Sequence, residues 1–298
     1  MINYKGGVGK TTLTANLAAE LAWRGRRVLM LDLDPQASLT FTFVQPERWR
    51  TDLAEATTIK RWYDALDRGL DVKLRDLVIT PSRAQTVLKG KGELDLIPSH
   101  LGLINVDLEL ATLLGGTNMS QSKRNFIKVH RRLAAGLATI KDDYDIVLID
   151  CPPNFNIVTK TAIVASDGVL IPAKPDYLST LGIDYLHSSL KQLVHDFNEY
   201  AQLDEEVPPI CPEVCGVVFT MVQYYGGEPI SALRPYIRQT KELGLPVLKE
   251  MVRENKTLFS QAPETGVPVI LHQHGNGVYD NVVAEFERVV TELIPKIL

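Results

Sequence analysis

The stretch KGGVGKTT, Lys5 to Thr12, constrains this chain more than any other. Glycines at 6, 7 and 9 let a backbone turn with φ > 0 and bring its N–H groups against an anion that a Cβ would hold off. Beyond the loop, Leu13, Leu17, Ala18 and Leu21 recur at helical spacing until Gly25. The loop therefore opens a helix, whose first N–H groups and positive dipole end complete a phosphate cradle. The pattern G-x-x-x-x-G-K-[ST] is met only loosely, because Tyr4 stands where its first glycine belongs and a lysine, Lys5, leads the loop. In a loop of this class Lys10 reaches the β- and γ-phosphates, the Thr11 hydroxyl ligates Mg²⁺ and Thr12 bonds the α-phosphate. An idle glycine-rich turn would not need strand, loop and helix signals in this order.

Apolar runs ending in acids continue the pattern. VLMLDLD, Val28 to Asp34, reads as a parallel strand buried on both faces with chemistry at its carboxyl end, and DYDIVLIDCPP, Asp143 to Pro153, repeats that profile up to Asp150. Asp32 and Asp34, two residues apart, fall on one strand face with Leu33 on the other. Met1 to Tyr4 reads as the end of a first strand, short enough that the numbering is expected to trim a residue or two of it. ELDLIPSH (Glu93 to His100), GVLIPAK, VCGVVFT and LPVLKE are further strand candidates. Helices are expected at Thr58 to Leu66, Ser122 to Ile140, Tyr177 to Asn198, Pro229 to Leu243 and Val278 to Ile294. Strands alternating with helices predict an α/β fold, a mostly parallel twisted sheet flanked by helices on both faces. One domain is expected over 1–298, with an irregular, charged, helical insertion around 35–92 passing over the nucleotide site.

Composition narrows the partners. A net charge of −4 and a pI near 5.9 argue against coating nucleic acid by bulk charge, so any DNA contact has to be a local patch or arise on assembly. Cys151, Cys211 and Cys215 are too few for a disulfide scaffold, read as apolar and strand-like, and lack the paired spacing of a zinc site. No apolar run is long enough to span a bilayer and no signal peptide is visible, so a cytoplasmic protein is expected. Lys123, Arg124, Lys128, Arg131 and Arg132 make the 122–140 helix basic, a pattern usual for a solvated face.

KGGVGKTT, LDLDPQAS, YDIVLIDCPPN and APETGVPV, taken in order, resemble the successive motifs of the ParA/MinD family of deviant Walker A ATPases, phosphate-loop NTPases of the SIMIBI class. The likeness runs from the first residues to the last helix. It implies ATP/ADP and Mg²⁺ as cofactors, and a sandwich dimer formed on ATP. Lys5 matches the family's signature lysine, which reaches the partner protomer's nucleotide and would neutralise charge developing in phosphoryl transfer. By the same resemblance, Asp34 places the attacking water, while Asp32 and Asp150 support Mg²⁺ beside Thr11. The loop residues Lys5, Gly6, Gly7, Val8, Gly9, Lys10, Thr11 and Thr12 bind nucleotide, and Thr220 and Met221 line the adenine. CPPN, Cys151 to Asn154, matches the switch segment that answers the γ-phosphate, and AKPDYLST, Ala173 to Thr180, is structural with some dimer contact.

Within the family, partition-type members bind nonspecific double-stranded DNA through basic residues of the C-terminal third, and Arg253 with Lys256 stand at such a place. A second arginine is absent from VQYYGGEP, where Arg234 and Arg238 on the next helix are substitutes. The resemblance implies a nucleoid-associated protein for plasmid or chromosome partitioning, stimulated by a ParB-class centromere-binding protein. A DNA-reading helix-turn-helix ahead of the loop is not expected. The competing reading is a MinD-like or cargo-positioning ATPase acting on membrane or nucleoid. The stripe Val282, Val283, Phe286, Val289, Val290 and Leu293 carries Glu285, Glu287 and Glu292 around it, which favours core packing over a membrane anchor. Metabolic relatives of the loop, cobyrinate amidases and iron-sulfur carriers, are disfavoured by the missing glutaminase segment and paired cysteines.

Overall fold

The computed structural model describes residues 1–272, 275 and 277–297. The loop leads into α1 (Lys10–Trp23), followed by β1 (Arg27–Asp32), α2 (Ser38–Phe43), α3 (Ile59–Asp67), α4 (Ser82–Leu88) and β2 (Glu93–Ile97). Next come α5 (Leu103–Thr112), α6 (Met119–His130), α7 (Arg132–Leu137), β3 (Ile146–Asp150), α8 (Ile157–Val164) and β4 (Gly168–Ala173). The chain continues through α9 (Tyr177–Ala201), β5 (Glu213–Phe219), α10 (Arg234–Glu242) and α11 (Gly277–Ile297).

β1 lies between β2 and β3, all parallel, and β4 pairs in parallel with β5. The first residues join these two groups. The Met1 amino group donates to the Ile149 carbonyl at 2.8 Å, the Cys151 N–H to the Met1 carbonyl, and the Ile2 N–H to the Leu170 carbonyl. An extended N-terminal segment thus runs between β3 and β4 and delivers the loop to the carboxyl end of the strands, where ligands of such sheets bind. Both faces of β1 are covered: Val28 and Met30 pack beneath α1 and α11, whereas Leu29 and Leu31 pack beneath α3, α5 and α7. This is why VLMLDLD is a continuous apolar run and not an alternating one.

Several boundaries differ from the sequence reading. The insertion after Pro35 is a helical wrap around the edge strand β2: Leu39, Phe43 and Trp49 join the core on one face, Ile59, Trp62 and Tyr63 on the other, and Ile79 bridges Leu96 on the strand's open edge. The basic helix begins at Met119, capped by the Asn118 side chain on the Gln121 N–H, and divides at Arg131 into α6 and α7. LPVLKE supplies one bridge, Val247 to Val217, because Pro246 has no N–H to extend a ladder. Pro229 belongs to a short hairpin with Tyr224, so the helix expected from there starts at Arg234. Cys211 is exposed outside any strand, unlike the buried Cys151 and Cys215. In α11, Val282, Phe286, Val289, Val290 and Leu293 are buried against the domain. Among the described residues no helix is long and apolar enough to cross a membrane.

Candidate nucleotide site

The loop takes the shape its glycines permit. Gly7 and Gly9 hold φ of +68° and +78°, which any side chain would strain, while Gly6 stays outside the left-handed region although all three were expected to use it. Gly6 and Gly7 are exposed and open, and a Cβ on Gly9 would only touch Thr220, at 3.7 Å, so its positive φ is what calls for glycine there. Behind the loop, Asn3 fixes the entry: its Nδ2 donates to the Pro172 carbonyl at 2.7 Å and its Oδ1 accepts the Lys5 N–H at 2.9 Å. Val8 is buried and its carbonyl accepts the Thr220 hydroxyl at 2.7 Å. Thr220 therefore braces the loop from β5, and Met221 beside it is held at φ 55°, a strained conformation for a non-glycine residue.

Lys10 opens α1 and is buried, yet among the described residues its ammonium meets only the carbonyls of Asn3 and Lys5, at 3.5 and 3.4 Å. Loss of solvent lowers its pKa, with Asp150 and Asp34 opposing. A buried cation short of a strong acceptor beside exposed glycines is suited to an anion. One residue on, the Thr11 hydroxyl donates to Asp150 Oδ2 at 2.7 Å, and Thr14, one turn later, donates to Oδ1 at 3.3 Å.

Asp32 and Asp150 are cross-strand partners at the ends of β1 and β3, both fully buried. Burial first, and the Asp150 charge second, push Asp32 up to about 8, and burial likewise raises Asp150. Asp32 is already committed: its oxygens accept the Asp34 N–H and the Thr40 N–H and hydroxyl, at 2.7 to 3.1 Å. That arrangement fixes the turn carrying Asp34, whose half-exposed carboxylate accepts the Gln36 N–H through Oδ1. One hydroxyl and one carboxylate suit Mg²⁺, which keeps most of its water. Among the described residues no three His, Cys, Asp or Glu side chains gather into a metal cluster, so an all-protein metal cage does not fit here.

Lys5 is half-buried and its ammonium pairs with Asp176 Oδ2 at 2.6 Å. Asp176 in turn caps α9 by accepting the Ser179 N–H at 2.9 Å. AKPDYLST reads from the sequence as structural with some dimer contact, and Asp176 is not singled out there; the capping spacing from Asp176 to Ser179 was the available signal. Asn3, Thr14 and Thr40 were also missed.

Arg253 and Lys256 do not join this site. The Arg253 guanidinium is bound by Glu285 at 2.7 Å, with the Glu285 side chain 4% exposed, and lies 5.3 Å from the Tyr224 ring centre. Lys256 points outward, 90% exposed, with Glu254 at 3.5 Å. Arg234 donates to the Pro229 carbonyl, and Arg238 lies 3.9 Å from Glu242.

A family model described as an AAA domain matches residues 1–203. The sporulation initiation inhibitor protein Soj of Bacillus subtilis strain 168 is 30% identical over 289 residues, covering 95% of each chain. Among solved structures, apo McdA of Cyanothece superposes with a TM-score of 0.68 at 23% identity over 98% of this chain and 97% of its own. The septum site-determining protein MinD of Pyrococcus horikoshii, complexed with Mg-ADP, gives 0.60 at 18% identity over 98% and 93%. At these identities the two structures share its fold.

Proposed function

The chain belongs to the ATPases of the ParA/MinD type, and from that premise we propose that it is a partition ATPase. It dimerises on ATP and Mg²⁺, holds nonspecific double-stranded DNA in that state, and releases it after hydrolysis stimulated by a ParB-class partner. The observation that carries the nucleotide half of this reading is the arrangement of Lys10 and Thr11. Lys10 is a buried ammonium that no carboxylate pairs with among the described residues, and the adjacent Thr11 hydroxyl rests on Asp150 at 2.7 Å.

The residues divide the work as follows. Backbone N–H groups of Gly6 to Lys10 and the Lys10 ammonium take the phosphates of ATP, with Thr12 on the first turn of α1 beside the α-phosphate. Thr11 and Asp150 hold Mg²⁺, with Asp32 behind them as the fixed end of the Asp34 turn. Mg²⁺, when bound, offsets charge on the phosphates. Asp34 orients the attacking water. Lys5 exchanges Asp176 for the phosphates bound by the partner protomer, where a cation lowers the charge developing in transfer. Thr220 and Met221 stand at the end of β5, on the base side of the loop. Turnover is slow without the stimulating partner.

For DNA, the freely exposed Lys256 makes the phosphate contact, with Arg253 beside it turned onto Glu285, and with Arg234 and Arg238 of α10 extending the patch. Duplex retention measured against salt, with ADP and with nonhydrolysable ATP, tests this half. The reading expects salt-sensitive retention with the ATP analogue alone. Equal retention with both nucleotides, or pelleting with anionic liposomes in place of DNA, rejects it.

A further inference from the structure

Outside the nucleotide site, a trough of about 1220 Å³ opens between the turn after α3, the faces of α6 and α7, and the end of α9 with the loop that follows. Its floor is apolar, made by Trp62, Leu74, Ile127, Ile140 and Val207. Its rim is cationic: Lys73, Arg75, Arg124, Lys128, Arg131 and Arg132, against Asp71 and Asp204 as the only acids in the lining. This concentration stands out in a chain whose net charge is −4. Arg75 is engaged by Asp143, but Lys73, Arg124, Lys128 and Arg131 have no acidic partner within 4.0 Å among the described residues. Arg124 and Lys128 are exposed and one helical turn apart, so both stand on the same side of α6.

A solvated helix face explains exposed lysines and arginines, but not their convergence on a concave apolar floor. Gly136 makes that floor close-packed: a Cβ there would lie 2.6 Å from the Trp62 ring and 2.9 Å from Leu74. The volume exceeds the range of about 300–1,000 Å³ usual for small-molecule clefts. Duplex DNA offers a convex, polar, evenly charged surface with nothing to fill an apolar floor. An amphipathic helix does the opposite, laying apolar residues at i, i+3, i+4 and i+7 into a groove while its flanks meet the rim. With a cationic rim, those flanks have to be acidic.

We propose that this trough docks an acidic amphipathic helical segment of a partner protein. The site is separate from the ATP reading, since none of its lining residues belongs to the loop or its carboxylates.

The test uses the full chain and fluorescence anisotropy with three labelled probes. One is an acidic amphipathic peptide of about 18 residues, long enough to hold a helix, with leucines at i, i+3, i+4 and i+7 and glutamates between. The others are its scrambled isomer and random duplex DNA. The expected result is saturable binding of the amphipathic peptide, weakened by salt and lost on scrambling. The double substitution Arg124→Glu, Lys128→Glu is expected to weaken it roughly tenfold, leaving thermal melting and ATP binding unchanged. Equal binding of the scrambled isomer, equal binding by the double variant, or no saturable binding overturns the proposal. So does a double variant that loses duplex DNA and keeps the peptide, which would make the trough a nucleic-acid surface.

Discussion

Lys10 and Arg253 are both cations drawn in from solvent, and they sit at the two places where anions were expected to bind. Among the described residues Lys10 has only two carbonyls, at 3.4 and 3.5 Å, whereas Arg253 already holds Glu285 at 2.7 Å and faces Tyr224. A motif cation is left open to an anion where the fold withholds its counter-ion, and becomes a structural strut where the fold supplies one. Lys5 lies between these cases, paired with Asp176 at the surface and so able to exchange it.

The largest expected effect is at the withheld end. Lys10→Ala is predicted to weaken ATP binding at least about thirtyfold, because truncating one side of a desolvated charge pair costs about 2–5 kcal/mol. Titration calorimetry checks this, and near-normal affinity would break the contrast at once. At the supplied end, Glu285→Gln is predicted to lower unfolding stability by about 2 kcal/mol, a figure reduced from that of a fully buried pair because Arg253 keeps some solvent. Denaturant melts that match the parent chain would make the pair ornamental and restore Arg253 as a free anion contact.

A third basic group is buried with no anionic partner among the described residues. His130 is 1% exposed, stacks on Phe126, gives Nδ1 to the Phe126 carbonyl and leaves Nε2 without a partner; burial lowers its pKa to about 4. Its neutral form is favoured in the fold, so the unfolded chain binds the extra proton first. Its contribution is therefore intact above the ordinary histidine range and is lost as pH falls from about 6.5 toward 4, at up to about 1.4 kcal/mol per pH unit. Stability measured across that window, for the parent chain and for His130→Phe, should differ in slope; parallel curves would show that another group governs the acid limb. The smallest effect is at the exposed cation: Lys256→Ala should weaken duplex binding a few-fold and reduce the salt slope by about 1, and an unchanged slope would remove Lys256 from the DNA contact.

How much of this was legible in the sequence depended on how local the cause was. KGGVGKTT could be read because φ > 0, the helix start and the lysine are set within eight residues, and Asp32 and Asp150 because apolar runs ending in acids mark strand ends. The continuous apolar pattern of β1 likewise foretold a sheet covered on both faces. What escaped was each residue's counterpart. Asp176 is 171 positions from Lys5, and Glu285 is 32 from Arg253, so pairing was settled by the sheet order and by α11 packing back on the core. The commitment of Asp32 to Thr40 depended on the path of the insertion, whose charged composition read as an excursion and whose apolar residues turned out to wrap the edge strand. The basic helix was read as a solvated face because the trough beneath it is completed by Trp62 and by the end of α9.

In the proposed function, Asp34 and Lys5 turn nucleotide binding into a dimer that hydrolysis undoes. Light-scattering mass of the Asp34→Ala variant with ATP and Mg²⁺, followed over time beside its ATP turnover, addresses it most directly. The expected result is a persistent dimer with ATP, a monomer with ADP, hydrolysis arrested, and loss of the dimer when Lys5→Ala is added. A monomer with ATP, or normal turnover in the Asp34→Ala variant, would contradict it.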